Sequence, residues 1–194
     1  MHILAVLAHP SKTSTSGSLF YQAVAHLQQL PGVTVDVLDL YDHADRIPFY
    51  RLPAAGQPIE SAFADAPFFA ENKARFMAAD RLLLVYPVWW YAVPAIMKAW
   101  LDLVTNYAFA SKGPNRARAR HKIKKALIIN TASMTWWYRL FFTRNSATEM
   151  VKQACRFMDI KQIKVHEING VRGSGQKKCA NLGRVLSRCA WLAT

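Results

Sequence analysis

Acidic residues are scarce in this chain: 12 Asp and Glu stand against 25 Lys and Arg, for a net charge of +13. Such an excess attracts polyanions, phosphates or acidic membrane surfaces. Cysteine is scarce too. Cys155, Cys179 and Cys189 are odd in number and form no CxxC, so no disulfide framework is expected and a reducing, cytoplasmic setting is. Long apolar runs are missing. The uncharged stretch Leu82–Met97 has 16 residues and is broken by Pro87 and Pro94, short of the about 20 that a membrane span needs. The opening MHILAVLAHP lacks a basic segment, so it does not read as a signal peptide. Six histidines and three cysteines fall without ligand spacing, so no metal site is expected. There is no GxSxG elbow, and no Gly-Lys-Ser/Thr ending to make the first loop a Walker loop.

What is present is a chain of 194 residues, 52% apolar and 19% charged, which suits a single globular domain over 1–194. Five strand-like runs alternate with helical patterns: Ile3–Ala8, Val33–Leu40, Leu82–Val88, Ala126–Thr131 and Ile163–Ile168. Leu19, Phe20, Ala23, Val24, Leu27 and Leu30 recur at helical spacing before Pro31-Gly32. Pro94 suits a first helical turn, with Ile96, Met97, Trp100, Leu101 and Val104 as the buried stripe. Ser146 and Glu149 have capping-box spacing, and a last helix is expected over about Gln176–Arg188. Runs one, three and four are almost wholly apolar, as strands covered on both faces must be. Runs two and five alternate, which marks edges. The reading is an α/β chain with a doubly wound, five-stranded parallel sheet of flavodoxin-like order 2-1-3-4-5 and helices on both faces.

In such a sheet ligands bind beyond the carboxyl ends of the strands, where strands one and three diverge. Strand one ends at His9-Pro10, strand three in Pro87, Val88, Trp89, Trp90 and Tyr91, and strand four at Thr131, Ala132 and Ser133. The loop HPSKTSTSGSLF carries six hydroxyls and Lys12 into a helix N-terminus. It reads either as an anion site or as a flexible loop with a helix cap at Ser16 or Ser18. His9 either bonds a phosphate or caps the strand end. Trp89, Trp90 and Tyr91 can press a ring and backbone amides on a flat conjugated ligand such as a flavin, or pack a subunit interface. TWWYRLFF, residues 135–142, is too apolar to face water entirely and lines a pocket or an interface. Seven basic residues cluster between Lys112 and Lys125, as a solvated loop or as an anion or partner surface.

The stretch YPVWWYAVPAIMKAWLDLV resembles the strand-three signature of the flavodoxin-like NAD(P)H:quinone oxidoreductases, with Pro87, Trp90, Tyr91, Pro94, Ala95, Lys98, Trp100 and Asp102 on its pattern. LAHP followed by Ser16-Gly17-Ser18, and Asn130–Tyr138, fall on further family segments, so the resemblance covers about residues 2–170. It implies a bound flavin, FAD with FMN as the alternative. Pro87, Val88, Trp89, Trp90 and Tyr91 would hold its ring, Thr131, Ala132 and Ser133 the pyrimidine side, and His9, Ser16, Gly17 and Ser18 the phosphate. It implies hydride transfer from a nicotinamide, NADH or NADPH, through the flavin to a quinone or another small aromatic acceptor. It also implies a homodimer with Trp136, Trp137, Phe141 and Phe142 at its interface, and Tyr138 stabilising charge on the reduced flavin.

The sequence departs from that pattern in three places. Ala132-Ser133 replace paired glycines, Gly17-Ser18 replace Phe-Asn, and Arg144 stands about where some relatives carry a catalytic histidine. A permanently charged arginine cannot shuttle a proton but can pair with an anionic substrate or the reduced flavin, so Tyr138 and Arg144 are the catalytic candidates. The alternative function is a regulatory protein of the same fold that docks on an acidic or membrane-bound partner. Nucleic acid is not expected as a partner, since no recognition motif accompanies the charge.

Overall fold

The computed structural model describes residues 1–63, 65–111, 117–171 and 175–194. Its elements run β1 (His2–Leu7), α1 (Thr15–Gln28), β2 (Thr34–Asp39), α2 (Pro67–Ala78), β3 (Arg81–Pro87), α3 (Ala95–Tyr107), β4 (Phe109–Ser111), β5 (Ala117–Ala119), β6 (Lys125–Ala132), α4 (Trp136–Phe141), α5 (Ser146–Phe157), β7 (Gln162–Asn169) and α6 (Gly175–Leu192). β4 and β5 pair as a separate antiparallel hairpin. The other five strands form one parallel sheet in the order β2-β1-β3-β6-β7, the 2-1-3-4-5 arrangement the apolar runs imply.

Strand alternation sends successive side chains to opposite faces. Leu4, Val6, Leu82, Leu84, Tyr86, Ala126 and Ile128 meet Phe76 of α2, Trp100 of α3 and Val151 of α5. Ile3, Ala5, Leu7, Leu83, Val85, Leu127 and Ile129 meet Phe20 and Leu27 of α1 and Val185 and Leu192 of α6. Each fully covered aliphatic side chain contributes about 1.5–3 kcal/mol; the buried polar residues of the central strand β6, Asn130 and Thr131, are hydrogen-bonded to Thr148 and Ser16. β2 and β7 lie at the edges and keep exposed or partly exposed residues, at consecutive positions Thr34–Val37 in β2 and on both faces of β7. Cys155 and Cys189 are buried free thiols, and burial pushes both up to about 12.

Two local expectations are corrected. α2 has no counterpart among the helices read from the sequence, although Pro67 starts it and Phe68, Phe69 and Phe76 form its buried face. A polar contact also fastens it: Asn72 donates to the Tyr107 hydroxyl at 2.6 Å and accepts from the Trp100 indole at 2.9 Å. The Ser146–Glu149 capping box does not form. Asn145, at φ 52°, precedes α5 without a side-chain cap bond, and the Ser146 hydroxyl donates to the Tyr91 carbonyl at 2.5 Å instead. Glu149 turns to Lys152, 2.5 Å away.

Candidate active site

β3 hands its end to β6. Pro87 and Thr131 are register partners, and the Val88 N–H donates to the Thr131 carbonyl at 2.8 Å. The chain then reverses in two residues. Trp89 and Ala92 exchange N–H···O bonds of 3.0 Å each, with Trp90 at φ 50° and Tyr91 at φ 64° between them. Two consecutive left-handed residues define the tight hairpin turn that Asn-Gly ordinarily fills. Placing bulky aromatics there costs on the order of 1–2 kcal/mol per residue. Strain of that kind persists where the surroundings impose it, often in a ligand clamp. The turn holds Trp90 out in water, 93% exposed. The N–H groups of Val88 and Trp89 are spent on protein carbonyls, whereas those of Trp90 and Tyr91 have no partner among the described residues.

Val88, Trp89, Trp90 and Tyr91 line a cleft of about 490 Å³ together with Ser133 and Met134. Pro87, Thr131 and Ala132 are buried and form the strand ends behind it. His9 packs edge-on to Trp89, with ring centres 5.7 Å apart. Its Nδ1 accepts from the Ser11 N–H at 2.9 Å, which leaves the proton of the neutral ring on Nε2 as a donor. Burial lowers the His9 pKa from its ordinary value, so the ring is neutral at pH 7.

The loop before α1 is tightly self-bonded. Ser14 is the N-cap, not Ser16 or Ser18: its hydroxyl accepts from the Gly17 N–H at 3.1 Å and donates to the Ser11 carbonyl at 2.7 Å. Ser16 is buried and shares a 2.7 Å hydrogen bond with Thr131, tying α1 to β6. The Ser18 hydroxyl donates to the Thr13 carbonyl at 3.3 Å. These hydroxyls therefore shape the loop. The donors left at the helix N-terminus are the backbone N–H groups of Thr15 and Ser16, which have no partner among the described residues. Such groups favour an anion. Gly17 is required here. A Cβ on it would fall 2.4 Å from the Lys12 carbonyl oxygen and 2.7 Å from that of Ser11.

Next to Tyr91, the Tyr138 hydroxyl lies 3.3 Å from the Tyr91 hydroxyl, and the Tyr138 ring stacks on Phe142 at 5.0 Å. The bond to Tyr91 raises the Tyr138 pKa above its ordinary value, so the phenol stays a neutral donor. Arg144 is not brought to the cleft: it sits exposed at a corner with φ 48°. Five residues earlier, Arg139 is 1% exposed. It donates to Glu167 at 2.8 Å, Thr148 at 2.7 Å and Asn169 at 3.1 Å, and burial lowers its pKa. The sequence reading missed this residue, and also Met134. Of the basic cluster, Lys112 and Arg116 lie outside the described residues. Arg120 reaches Glu60 at 3.6 Å, Lys122 reaches Asp80 at 3.0 Å, and Lys125 bonds the Trp191 carbonyl at 3.3 Å, so part of that charge holds the fold.

The profile of the flavodoxin-like fold family matches residues 1–188. The chain belongs to this family. Within it, the chain is 34% identical over 123 residues to a ribosyldihydronicotinamide dehydrogenase-like protein of Penicillium crustosum, 56% of this chain and 45% of that one. It is 31% identical over 158 residues to NAD(P)H dehydrogenase [quinone] 1 of Cavia porcellus, 71% of this chain and 55% of that one. The chain thus spans about half the length of the curated relatives it matches. An NAD(P)H:quinone oxidoreductase from Methanothermobacter marburgensis aligns with a TM-score of 0.75 at 26% identity, over 97% of this chain and 94% of that one. Among the described residues, no helix of this family member is long and apolar enough to cross a membrane, and no group of potential ligands could hold a metal ion.

Proposed function

We propose that the chain is a flavin-dependent NAD(P)H oxidoreductase that passes hydride to a quinone or similar aromatic acceptor. One observation carries the reading. The strained turn Trp89–Ala92, the exposed Ser133 and the free N–H groups at the start of α1 all lie at the carboxyl ends of adjacent strands. A flat, conjugated ring with a phosphate tail fits this set. Aromatic faces and two free amides lie on one side, and an anion cradle next to it. A bound flavin would supply the hydride-accepting ring. Trp90 and Tyr91 would stack on it and offer their N–H groups, Ser133 would meet its polar edge, and Thr15 and Ser16 would hold the phosphate through their backbone. His9 would donate from Nε2 to the phosphate. Tyr138, neutral and oriented by Tyr91, would donate toward negative charge arising during reduction, an interaction stronger in the transition state than before it.

The relatives' names support the activity class. FAD is the cofactor the resemblance implies, and chromatography of heat-released flavin would separate it from FMN. A homodimer is proposed from the exposed Trp136, Trp137, Phe141 and Phe142 beside the cleft. The buried thiols Cys155 and Cys189 support a reducing, cytoplasmic setting. The deciding experiment is a visible spectrum after reconstitution with FAD or FMN and desalting. Retained flavin bands should be bleached by NADPH or NADH without oxygen and restored by a quinone. Failure to retain either flavin would sink the proposal.

A further inference from the structure

We infer that the groove along the free edge of β7, between α5 and α6, binds a phosphate group. This cleft of about 600 Å³ is lined by Lys152 and Thr148 of α5, Val165, His166 and Glu167 of β7, and Arg184 and Arg188 of α6. The inference stands apart from the flavin reading, because no residue of the strand-end cleft takes part in it.

The charges in the groove are unbalanced in a specific way. Glu149 is paired with Lys152 at 2.5 Å, and Glu167 with Arg139 at 2.8 Å. Both carboxylates facing the groove are thereby neutralised. Arg184 and Arg188 lie one turn apart on α6, a spacing at which like charges repel. Arg188 is fixed in place by donating to the Val165 carbonyl at 2.8 Å, an unpaired edge-strand acceptor. The Arg184 carbonyl accepts from the Ser187 hydroxyl at 2.9 Å, but its guanidinium has no hydrogen bond or ion pair among the described residues.

Between the two elements sits His166, 7% exposed, and its Nε2 has no hydrogen-bond partner among the described residues. A buried polar atom without a partner is costly and calls for an explanation. Lys164, on the same strand face, lies over the Trp191 ring at 4.4 Å and adds positive potential rather than relieving it. One oxyanion would answer all three features. It would take the guanidiniums in the paired geometry they favour with phosphate, separate their charges, and give the imidazole a reason to carry a proton. The groove is larger than inorganic phosphate alone, so free phosphate and phosphate monoesters share the chemistry.

The His166 ring supplies the readout. Burial, then Arg188 and Arg184, lower its pKa to about 4. An anion between those arginines must raise it toward the ordinary value of about 6.5. The full chain is titrated with inorganic phosphate, and separately with ribose 5-phosphate, at ionic strength held constant with chloride. The His166 ring resonance, assigned by its loss in His166→Gln, is followed by NMR. The expected result is a saturable rise in the His166 midpoint that chloride does not produce. Arg184→Ala, a change to a better helix former at an exposed position, should weaken the binding at least about tenfold. Tighter binding of ribose 5-phosphate would mark a phosphorylated sugar as occupant, and equal binding the phosphate alone. An equal midpoint change with chloride, or an unaltered phosphate affinity in Arg184→Ala, overturns the inference.

Discussion

Gly17→Ala opposes two effects whose sizes can be compared. Gly17 lies in the first turn of α1, and alanine there gains helix propensity of at most about 1 kcal/mol over glycine. Against that, the new Cβ would meet the Lys12 carbonyl oxygen at 2.4 Å, its carbon at 2.7 Å and the Ser11 carbonyl oxygen at 2.7 Å. All three are backbone atoms, so no side chain can swing away. Ordinary contact lies about 1 Å further out, and the loop must retreat by that much. Retreat would stretch the 3.1 Å bond from the Gly17 N–H to Ser14 and the 2.7 Å bond from Ser14 to Ser11. Overpacking typically costs 1–3 kcal/mol and a lost cap about 1. The clash therefore wins, with a net loss of about 1–3 kcal/mol. Because the same loop borders the free N–H groups of Thr15 and Ser16, flavin retention should fall with stability. Thermal melts of the flavin-free protein, and flavin retained after gel filtration, measure the two separately. A variant that melts higher than wild type and keeps its flavin would refute the close approach and the phosphate assignment together.

Trp90→Gly should relieve the left-handed strain, raising flavin-free stability by about 1 kcal/mol, while weakening flavin binding roughly tenfold or more, as titration of the apoprotein would show. Tyr138→Phe should slow flavin reduction by NAD(P)H about 10- to 100-fold, or about 1.4–2.7 kcal/mol, with oxidised-flavin affinity unchanged; stopped-flow reduction at wild-type speed would shift the role to the free amides of Trp90 and Tyr91. Arg139→Met should destabilise the fold by about 3 kcal/mol in urea melts, because it removes the cation that pairs with Glu167 and leaves that carboxylate only the Thr148 hydroxyl. Stability should fall on acidification from about pH 6.5 to about pH 4, because unfolded His166 takes up a proton in that window and folded His166 does not; melts of His166→Gln across the same window should lose that part of the slope.

The sheet was legible because burial on both faces leaves a continuous apolar run, as in β1, β3 and β6, whereas an edge strand must alternate. The location of the cleft followed from the topology. Its details did not. Nothing in the identity of Trp90 and Tyr91 announces a left-handed turn, since that geometry is imposed by the Trp89–Ala92 bridge and by Ser146 holding the Tyr91 carbonyl. Gly17 read as a gap in a phosphate motif, yet it is needed for a contact with Lys12 that is local in space but invisible in composition. Ser14 rather than Ser16 or Ser18 caps α1, because in a run of hydroxyls only backbone geometry selects the cap.

Arg139 and Arg144 show the limit most clearly. Both stand in TWWYRLFFTR, where nearly every other residue is aromatic or apolar, so helical periodicity assigns no inner face. Hydropathy alone would bury the aromatics and leave both arginines in water. α4 does the reverse: Trp136, Trp137, Leu140 and Phe141 face outward and Arg139 faces in. What decides is the partner set waiting beneath the helix. Glu167 and Asn169 at the end of β7, and Thr148 in the first turn of α5, together satisfy one guanidinium, and such a site desolvates a charge only where its partners converge. Those partners come from segments 9 to 30 residues away. Once Arg139 is anchored, its neighbour Tyr138 is carried to within 3.3 Å of Tyr91. The buried arginine thus fastens the helix that carries Tyr138, while Arg144, the catalytic candidate read from the sequence, is exposed and does not line the cleft.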